Sequence, residues 1–295
     1  MALTKLSLEE WLAAAAEQSV SFADFCVELQ SREMERSSED VIAKMEAMLA
    51  VMEQSIADGL KGLRSKGGLV GGDGQRLQQC LMGSKQNLLG NFAGKAVTYA
   101  LAVGEANAAM GRIVAAPTAG SSGVLPAVLF TLKEEYGFQS RELAKGLIVA
   151  GVIGMVIASR ASLSGAAGGC QAECGSAGAM AAGVMVVLLG GTPEQVGHAV
   201  AITLKNMLGL VCDPVAGLVE VPCVKRNAGA VAQALVGAQM ALAGIKSVIP
   251  VDEVIDAMDS IGNSMHCSLK ETAQGGLAIT PTALELTEKI FEKNI

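Results

Sequence analysis

The sequence predicts a mainly α-helical protein, a compact multi-helix domain with glycine-rich ligand loops. Apolar residues recur at helical spacing along the chain, and no segment shows sustained alternation with β-branched residues. Aromatic residues make up only 3% of the chain, whereas glycine occurs 35 times and alanine-rich runs recur. Small residues at this density let helices pack closely and let loops surround a ligand. We expect one domain over 1–295, with a candidate N-terminal helical subregion over 1–85.

The N-terminal region carries the clearest helical pattern. Residues 4–30 predict an amphipathic helix with Trp11 on its apolar side, followed by a shorter helical segment after Ser21. A longer helix is predicted over 39–58, where one face carries Val41, Met45, Met48, Met52 and Ile56. We expect this methionine stripe to pack in the core.

Local signals mark the ends of several helices. Ser37 and Asp40 resemble a capping box at the start of the 39–58 helix, and Gly59 is a plausible stop. Pro281 occupies the favoured first turn of the last helix. Glycine cluster 67–74 is a turn, a hinge or part of a ligand wall. The remaining predicted helices span 91–111, 124–133, 140–159, 178–189, 193–204, 228–243, 252–261 and 281–293.

Charge and hydropathy exclude some classes of protein. The formal net charge is −7, and the 22 Lys and Arg residues form no basic block, which argues against a nucleic-acid partner. The mean hydropathy of +0.43 is high. The two longest apolar segments, 146–159 and 175–191, are nevertheless short for a membrane span and fit buried core helices. Lys5, Glu9 and Glu10 argue against a signal peptide. We therefore expect a soluble, cytoplasmic protein without a membrane partner.

The chain is organised around the stretch 205–227, which holds Cys212 and Cys223 ten residues apart. Each cysteine lies beside a proline, so we expect both thiols on irregular backbone outside a helix. Lys225 and Arg226 provide the positive charge that a metal-binding thiolate needs. Simple burial of two free cysteines is an equally good interpretation of the pair alone. Seven cysteines without a secretory context favour reduced thiols or a metal site over disulfides.

A second loop, 116–126, suits a small anionic ligand. Thr118, Ser121 and Ser122 offer hydroxyl groups, and Gly120 and Gly123 permit a tight turn before an apolar helical segment. Backbone N–H groups at such a turn can bind an anion. The Gly-Lys-Ser/Thr ending of a phosphate loop is missing, so a small carboxylate is the expected guest. An ordinary helix start is the alternative.

Several motifs together resemble one family. They are APTAGSSGVLP at 116–126, SLSGAAGGCQAE at 162–173, LGLVCDPVAGLVEVPCVKRNA at 208–228, GGLVGGD at 67–73 and ETAQGGLAITPT at 271–282. In these motifs, and over nearly its whole length, the chain resembles the α subunit of the two-subunit, iron–sulfur-dependent bacterial L-serine dehydratases. The resemblance implies a lyase that converts L-serine to pyruvate and ammonia in amino-acid degradation.

The resemblance also implies a cofactor. The family uses a [4Fe-4S] cluster and no pyridoxal phosphate. In this chain the cluster would be held by Cys170, Cys212 and Cys223, with 41 residues between the first two cysteines and ten between the last two. Three thiolates would leave one iron open as a Lewis acid for the substrate hydroxyl, and that iron would be sensitive to oxygen. Cys174 departs from the pattern, since relatives commonly carry valine there. It is either an accidental neighbour of the cluster or a spare ligand, and we favour the neighbour. The remaining cysteines, interpreted as structural, are Cys26, Cys80 and Cys267.

Roles for other residues follow from the same resemblance. The substrate carboxylate is expected on the loop residues Thr118, Gly120, Ser121 and Ser122. Arg226 and Asn227 are candidate catalytic residues, placed to assist with the substrate carboxylate or to hold the cluster pocket in shape. Lys205 is a further candidate that could equally make surface or capping contacts. His198 and His266 are the only histidines, and the family implies instead a β subunit that supplies a Ser-Ser-His-Thr segment to a hetero-oligomer. The alternatives are the same chemistry on L-cysteine or L-threonine, or a non-catalytic helical membrane or scaffold protein.

Overall fold

The computed structural model describes residues 5–82 and 87–292. Across those ranges the chain forms thirteen α-helices and no β-strand, with only two isolated bridges, Arg64–Gly71 and Cys212–Lys270. The mainly α prediction is therefore confirmed. The helices are α1 Leu8–Glu17, α2 Phe22–Glu33, α3 Ser38–Gly59, α4 Asp73–Leu81, α5 Gly90–Ala108, α6 Val124–Tyr136, α7 Ser140–Arg160, the single turn α8 Gly165–Gly168, α9 Ser176–Leu188, α10 Pro193–Met207, α11 Cys223–Leu242, α12 Val251–Ser264 and α13 Pro281–Glu292.

Helix α9 lies at the centre of the bundle, packed against α6, α7, α10 and α11. Every residue from Ser176 to Val186 is buried, so the helix has no solvent-facing side. Its small residues allow this: a Cβ added at Gly183 would lie 2.4 Å from Ile153 Cδ1 of α7. A Cβ at Gly178 would lie 3.3 Å from the Ala230 oxygen of α11. The glycine and alanine content of the sequence thus builds the closely packed centre.

Two segments, Ser140–Arg160 and Gln171–Leu188, have the length and composition of membrane-spanning helices. Core helices of soluble proteins meet the same criteria, and burial helps to distinguish the cases. In the most apolar stretch of Ser140–Arg160, 67% of the residues are buried inside the structure, and in that of Gln171–Leu188 the share is 83%. Both segments are therefore core helices of this fold, as the sequence predicts.

The N-terminal helices match the predicted pattern closely. Ser37 Oγ accepts a hydrogen bond from the Asp40 N–H at 3.1 Å and caps α3. On the methionine stripe, Val41, Met52 and Ile56 are buried, and the other two members pack half-buried against the same core. Two predicted helix ends lie outside the described residues. They are Thr4, the start of the predicted helix 4–30, and Lys293, the end of the predicted helix 281–293.

Helix α4 is missing from the sequence prediction because its start depends on a distant side chain. Gly72 precedes the helix with φ 73°, a conformation that favours glycine. The carboxylate of Glu105, fully buried in α5, then accepts hydrogen bonds from the N–H groups of Asp73 and Gly74 at 2.6 and 3.3 Å. Glu105, 32 residues after Asp73, therefore caps this helix, and no local sequence motif predicts the cap.

Gly59 ends α3, as predicted, but for a reason of packing. A Cβ at Gly59 would lie 1.9 Å from the Ala102 oxygen of α5, so the two helices touch backbone to backbone there. We expect Gly59→Ala to lower the free energy of unfolding by about 1–3 kcal/mol, because overpacking forces the helices apart. Urea unfolding followed by circular dichroism measures this change.

A matched control for this substitution exists in α7. Gly151 is exposed, and a Cβ there would meet no atom within 4 Å. Gly151→Ala should raise the free energy of unfolding by up to about 1 kcal/mol, because alanine favours a helix interior. Equal stabilities of the two variants would contradict the close contact between α3 and α5.

Candidate functional site

Three predicted cysteines converge at one end of α9. Cys170 directly precedes a π-helical turn, Gln171–Gly175, that leads into α9. The Cys170 and Cys212 Sγ atoms and one carboxylate oxygen of Glu173 all lie within 4.8 Å of one another. Cys223 is buried as well, and Asn227 ties its backbone oxygen to the loop that contacts Glu173. The structure therefore brings Cys170 and Cys212 together beside Glu173 and connects Cys223 to the same region.

The backbone prediction for these cysteines is correct for one and wrong for the other. Cys212 lies in irregular chain between α10 and α11. Cys223, by contrast, is the first residue of α11, and Pro222 precedes it with φ −91° as the N-cap. Proline interrupts a helix interior but is compatible with a helix start, which the sequence interpretation overlooked. The partial positive charge of a helix N-terminus stabilises a nearby anion and so offsets part of the effect of burial on the Cys223 thiol.

The π-helical turn sets the spacing of the side chains around Cys170. Such a turn widens the helix by one residue and is frequent at functional sites. Here it places Cys174 Sγ 3.9 Å from Cys170 Sγ, with both atoms buried. A Cβ at Gly165 of α8 would lie 2.6 Å from Glu173 Oε2 and 2.8 Å from Cys212 Sγ. Only glycine therefore leaves room beside these groups.

The electrostatics of the cysteines suit a metal cluster. Hydrogen bonds from the Cys174 and Cys212 thiols, with a smaller contribution from the Arg226 charge, lower the pKa of Cys170 to about 3. The same hydrogen bonds, together with burial, raise the pKa values of Cys174 and Cys212. Burial raises the pKa of Cys223 to about 12. Additional positive charge, such as that of a cationic cluster, would favour the thiolate form of these cysteines.

All seven cysteines are free thiols, and a set of close, buried, reduced thiols is the ligand type that iron–sulfur clusters use. The described residues therefore fit a cluster held by Cys170, Cys212 and Cys223. Cys174 Sγ lies against Cys170 Sγ, a position that fits both a neighbour of the cluster and a spare ligand.

The hydroxyl-rich loop faces this group of cysteines. Thr118 Oγ1 donates a hydrogen bond to Glu173 Oε1 at 2.9 Å and lies 3.1 Å from Ser121 Oγ. Ser122 Oγ is buried and has no hydrogen-bond partner in the described part of the chain. The N–H groups of Gly120 and Ser121 donate to no acceptor within residues 5–82 and 87–292. The loop thus has donors available for a ligand beside the cysteines.

Asn227 ties this loop to the third cysteine. Its Oδ1 accepts from the Gly123 N–H at 2.9 Å, and its Nδ2 donates to the Gly120 oxygen at 2.7 Å and the Cys223 oxygen at 2.9 Å. The side chain is 1% exposed, so the amide is fully engaged inside the protein. Its geometry suits positioning of the loop and the cysteine.

Arg226 holds the backbone on both sides of Cys212. It donates from Nη1 to the Val211 oxygen at 2.7 Å and from Nη2 to Asp213 Oδ1 at 2.8 Å. Asp213 in turn accepts from the Leu277 N–H at 2.8 Å. Of the two roles expected from the sequence, the contacts of Arg226 favour holding the pocket in shape over binding a carboxylate.

Lys205 and the two histidines make their hydrogen bonds to residues other than the site cysteines. Lys205 Nζ donates to Ser247 Oγ at 2.9 Å, between α11 and α12. His198 Nδ1 accepts from the N–H of the same Ser247 at 3.3 Å. His266 is exposed and pairs with Ser268 Oγ at 2.8 Å. Lys205 is near Cys212 in sequence, but it still belongs to α10. Its side chain extends to the segment between α11 and α12.

The sequence analysis did not identify Glu173, which lies between the cysteines and the hydroxyl-rich loop. Burial raises its pKa to about 7, although Thr118 donates a hydrogen bond to the carboxylate. One signal could have found it: Glu173 is the only charged residue in 161–193.

A second missed carboxylate, Glu220, joins the first glycine cluster to the cysteine segment. It is 4% exposed and accepts hydrogen bonds from Ser65 Oγ at 2.6 Å, the Gly67 N–H at 2.7 Å and the Leu69 N–H at 3.0 Å. The first glycine cluster is irregular chain up to Gly72, where α4 follows, and Glu220 ties it to the segment that precedes Cys223.

The segment after α12 also holds Cys212 in place. The Cys212 N–H donates to the Leu269 oxygen at 2.8 Å, and the Cys212 oxygen accepts from the Glu271 N–H at 2.7 Å. The motif at 271–282 therefore belongs structurally to the cysteine site, although it is about 60 residues further along the chain.

Comparisons with known proteins agree with this site. The family model described as "Serine dehydratase alpha chain" matches residues 17–278. The chain is 51% identical over 285 residues to the "Probable L-serine dehydratase, alpha chain" of Bacillus subtilis, covering 97% of this chain and 95% of that protein. It is 43% identical over 278 residues to the "L-serine dehydratase, alpha chain" of Peptoniphilus asaccharolyticus, covering 94% and 95%.

A longer relative aligns over part of its length. The "L-serine dehydratase" of Streptomyces coelicolor is 48% identical over 183 residues, which are 61% of this chain and 40% of that protein. The family model covers most of the chain, and the alpha chains of Bacillus subtilis and Peptoniphilus asaccharolyticus align with it almost end to end. The chain therefore belongs to the serine dehydratase alpha chain family.

Proposed function

We propose that this chain is the cluster-bearing subunit of an L-serine dehydratase, a lyase that deaminates L-serine to pyruvate and ammonia. The observation that carries the proposal is the pairing of Cys170 and Cys212 at Glu173, beside the hydroxyl-rich loop to which Asn227 connects Cys223. Membership of the family, whose curated relatives are named L-serine dehydratases, supports the substrate.

The three cysteines are proposed as the ligands of a [4Fe-4S] cluster. When bound, such a cluster supplies a Lewis-acidic iron with an open coordination position for the hydroxyl that leaves. Arg226 contributes by fixing the backbone on both sides of Cys212 and by favouring the thiolate form of Cys170. Asn227 fixes Cys223 relative to the loop.

The loop 118–122 is proposed to bind the substrate carboxylate. The unpartnered hydroxyl of Ser122 and the free N–H groups of Gly120 and Ser121 would donate to its oxygens. Thr118 is anchored on Glu173, so the loop cannot swing away from the cysteines without breaking that hydrogen bond. A substrate held in this way would lie beside the cysteines, and a fixed position relative to the reacting groups lowers the barrier to reaction.

A partner chain is part of the proposal. The relatives' names specify an alpha chain, and in the described residues neither histidine makes a hydrogen bond with the loop or the three cysteines. We propose that a β subunit supplies the base that removes the α-proton, and that the assembly works in the cytoplasm. The burial of α7 and α9 in the core supports the soluble location.

The test is pyruvate formation from L-serine after anaerobic cluster reconstitution. The chain is assayed alone and with a candidate β partner, and Cys212→Ser chain treated identically is the control. We expect activity only when the partner is present and none with the control. A formed cluster without pyruvate in either preparation would overturn L-serine as substrate, and L-cysteine and L-threonine would then be tested. Full activity of the chain alone would overturn the need for a partner.

A further inference from the structure

Glu173 is a carboxylate at the cysteine site that has no cation of its own. Its Oε1 accepts a hydrogen bond from Thr118 Oγ1 at 2.9 Å. Its Oε2 faces Cys212 Sγ at 3.9 Å, and the Cys212 thiol is the only donor to that oxygen in the described part of the chain. No lysine or arginine among the described residues forms a salt bridge with it. The nearby Arg226 is already bound to Asp213 and the Val211 oxygen.

Glu173 Oε2 is poorly satisfied by the chain itself. The Cys212 thiol lies 3.9 Å away, at the long end of a hydrogen bond to sulfur, and no N–H or charged donor reaches this oxygen in the described part of the chain. A half-buried carboxylate oxygen with so weak a partner is costly. The site therefore has a place for one positively charged donor next to Oε2.

The space next to Glu173 Oε2 and the carboxylate-binding loop are arranged as the two charged groups of an α-amino acid require. Thr118 belongs to the proposed carboxylate-binding loop and touches Glu173 directly, so an anion-binding group and an anion lie side by side. The carboxylate and ammonium groups of an amino acid are bonded to the same carbon, and they need two such neighbouring positions of opposite charge. A hydroxy acid would bring only negative charge towards Glu173.

On these grounds we propose that Glu173 binds the α-ammonium group of the substrate while loop 118–122 binds its carboxylate. The proposal rests on the proposed function and adds the residue that selects amino acids over hydroxy acids. Ligation of iron is the other use of a free carboxylate oxygen. It would close the coordination position that the elimination needs open, so the ammonium group is the better match.

The test compares two unreactive ligands that differ only at the group in question. L-Alanine and L-lactate lack the β-hydroxyl and differ by an ammonium against a hydroxyl group. Their affinities are measured by calorimetry on the anaerobically reconstituted complex, for wild type, Glu173→Gln and Glu194→Gln. Glu194 lies on α10, is exposed and pairs with Lys246, so it serves as the matched control.

We expect Glu173→Gln to lower the affinity for L-alanine about 100-fold, because it removes one partner of a buried charge pair. Its affinity for L-lactate should stay within about twofold, and the iron content and visible absorption should be unchanged. Glu194→Gln should behave as wild type. Glu173→Asp, which keeps the charge on a shorter side chain, should retain a preference for L-alanine at reduced affinity.

Three results would overturn the assignment. Equal losses for both ligands in Glu173→Gln would give the residue a structural role. An altered absorption spectrum before any ligand is added would make it a cluster ligand instead. An unchanged preference for L-alanine would show that another group binds the ammonium. Failure of the proposed function is separate, because it would appear in the wild-type complex as a formed cluster that yields no pyruvate from L-serine.

Discussion

Cys170→Ser, Cys212→Ser and Cys223→Ser should each abolish cluster retention and, with it, the deamination of L-serine. A serine hydroxyl keeps its proton at neutral pH and is a poor ligand for the soft iron–sulfur cluster. We expect iron and sulfide contents to fall more than about tenfold after anaerobic reconstitution, with activity lost in parallel. The measurement is iron and sulfide analysis together with the visible absorption of the purified protein.

Two other cysteines make this test specific. Cys174 Sγ lies 3.9 Å from Cys170 Sγ, so distance alone does not remove it as a ligand. We expect Cys174→Val to keep the cluster and the activity, and loss of the cluster in this variant would overturn the ligand assignment. Cys80 is exposed on α4 and is the control for thiol loss in general. Cys80→Ser should match wild type in every measurement.

The prediction of the fold succeeded where the signal was local. Helix α3 follows from its spacing and its Ser37 cap, because both depend on residues within one or two turns. Helix α4 was missed because its capping carboxylate, Glu105, comes from another helix. Cys223 was placed outside a helix because proline at a helix start and proline in irregular chain look alike in sequence.

The prediction of the site shows the same limit. The motifs around Cys170, Cys212 and Thr118 identified segments that the fold then brought together. Spacing does not show what a side chain contacts, so Lys205 was included although it contacts Ser247. Glu220 was missed for the opposite reason, since its hydrogen-bond partners lie more than 150 residues away in the chain.

Asn227 is the residue where substitution should most damage the site without removing a cluster ligand. Its side chain is the direct connection between the loop and Cys223, through three hydrogen bonds. Asn227→Ala leaves one N–H group and two carbonyl oxygens without these partners in a buried position. We expect the free energy of unfolding to fall by about 2–4 kcal/mol. Serine deamination should fall at least about 100-fold, because the loop loses its fixed position.

Asn227→Asp separates loss of the connection from loss of volume. Aspartate has nearly the same shape and still accepts from the Gly123 N–H. It has no donor, however, for the oxygens of Gly120 and Cys223, and its negative charge would face both of them. We therefore expect Asn227→Asp to reduce activity at least as much as Asn227→Ala. Asn206→Ala, which removes an exposed hydrogen bond to Gln233, is the control and should match wild type. If Asn227→Asp kept wild-type activity, donation to these two oxygens would be unnecessary, and the connection between loop and cysteine would have to depend on packing alone.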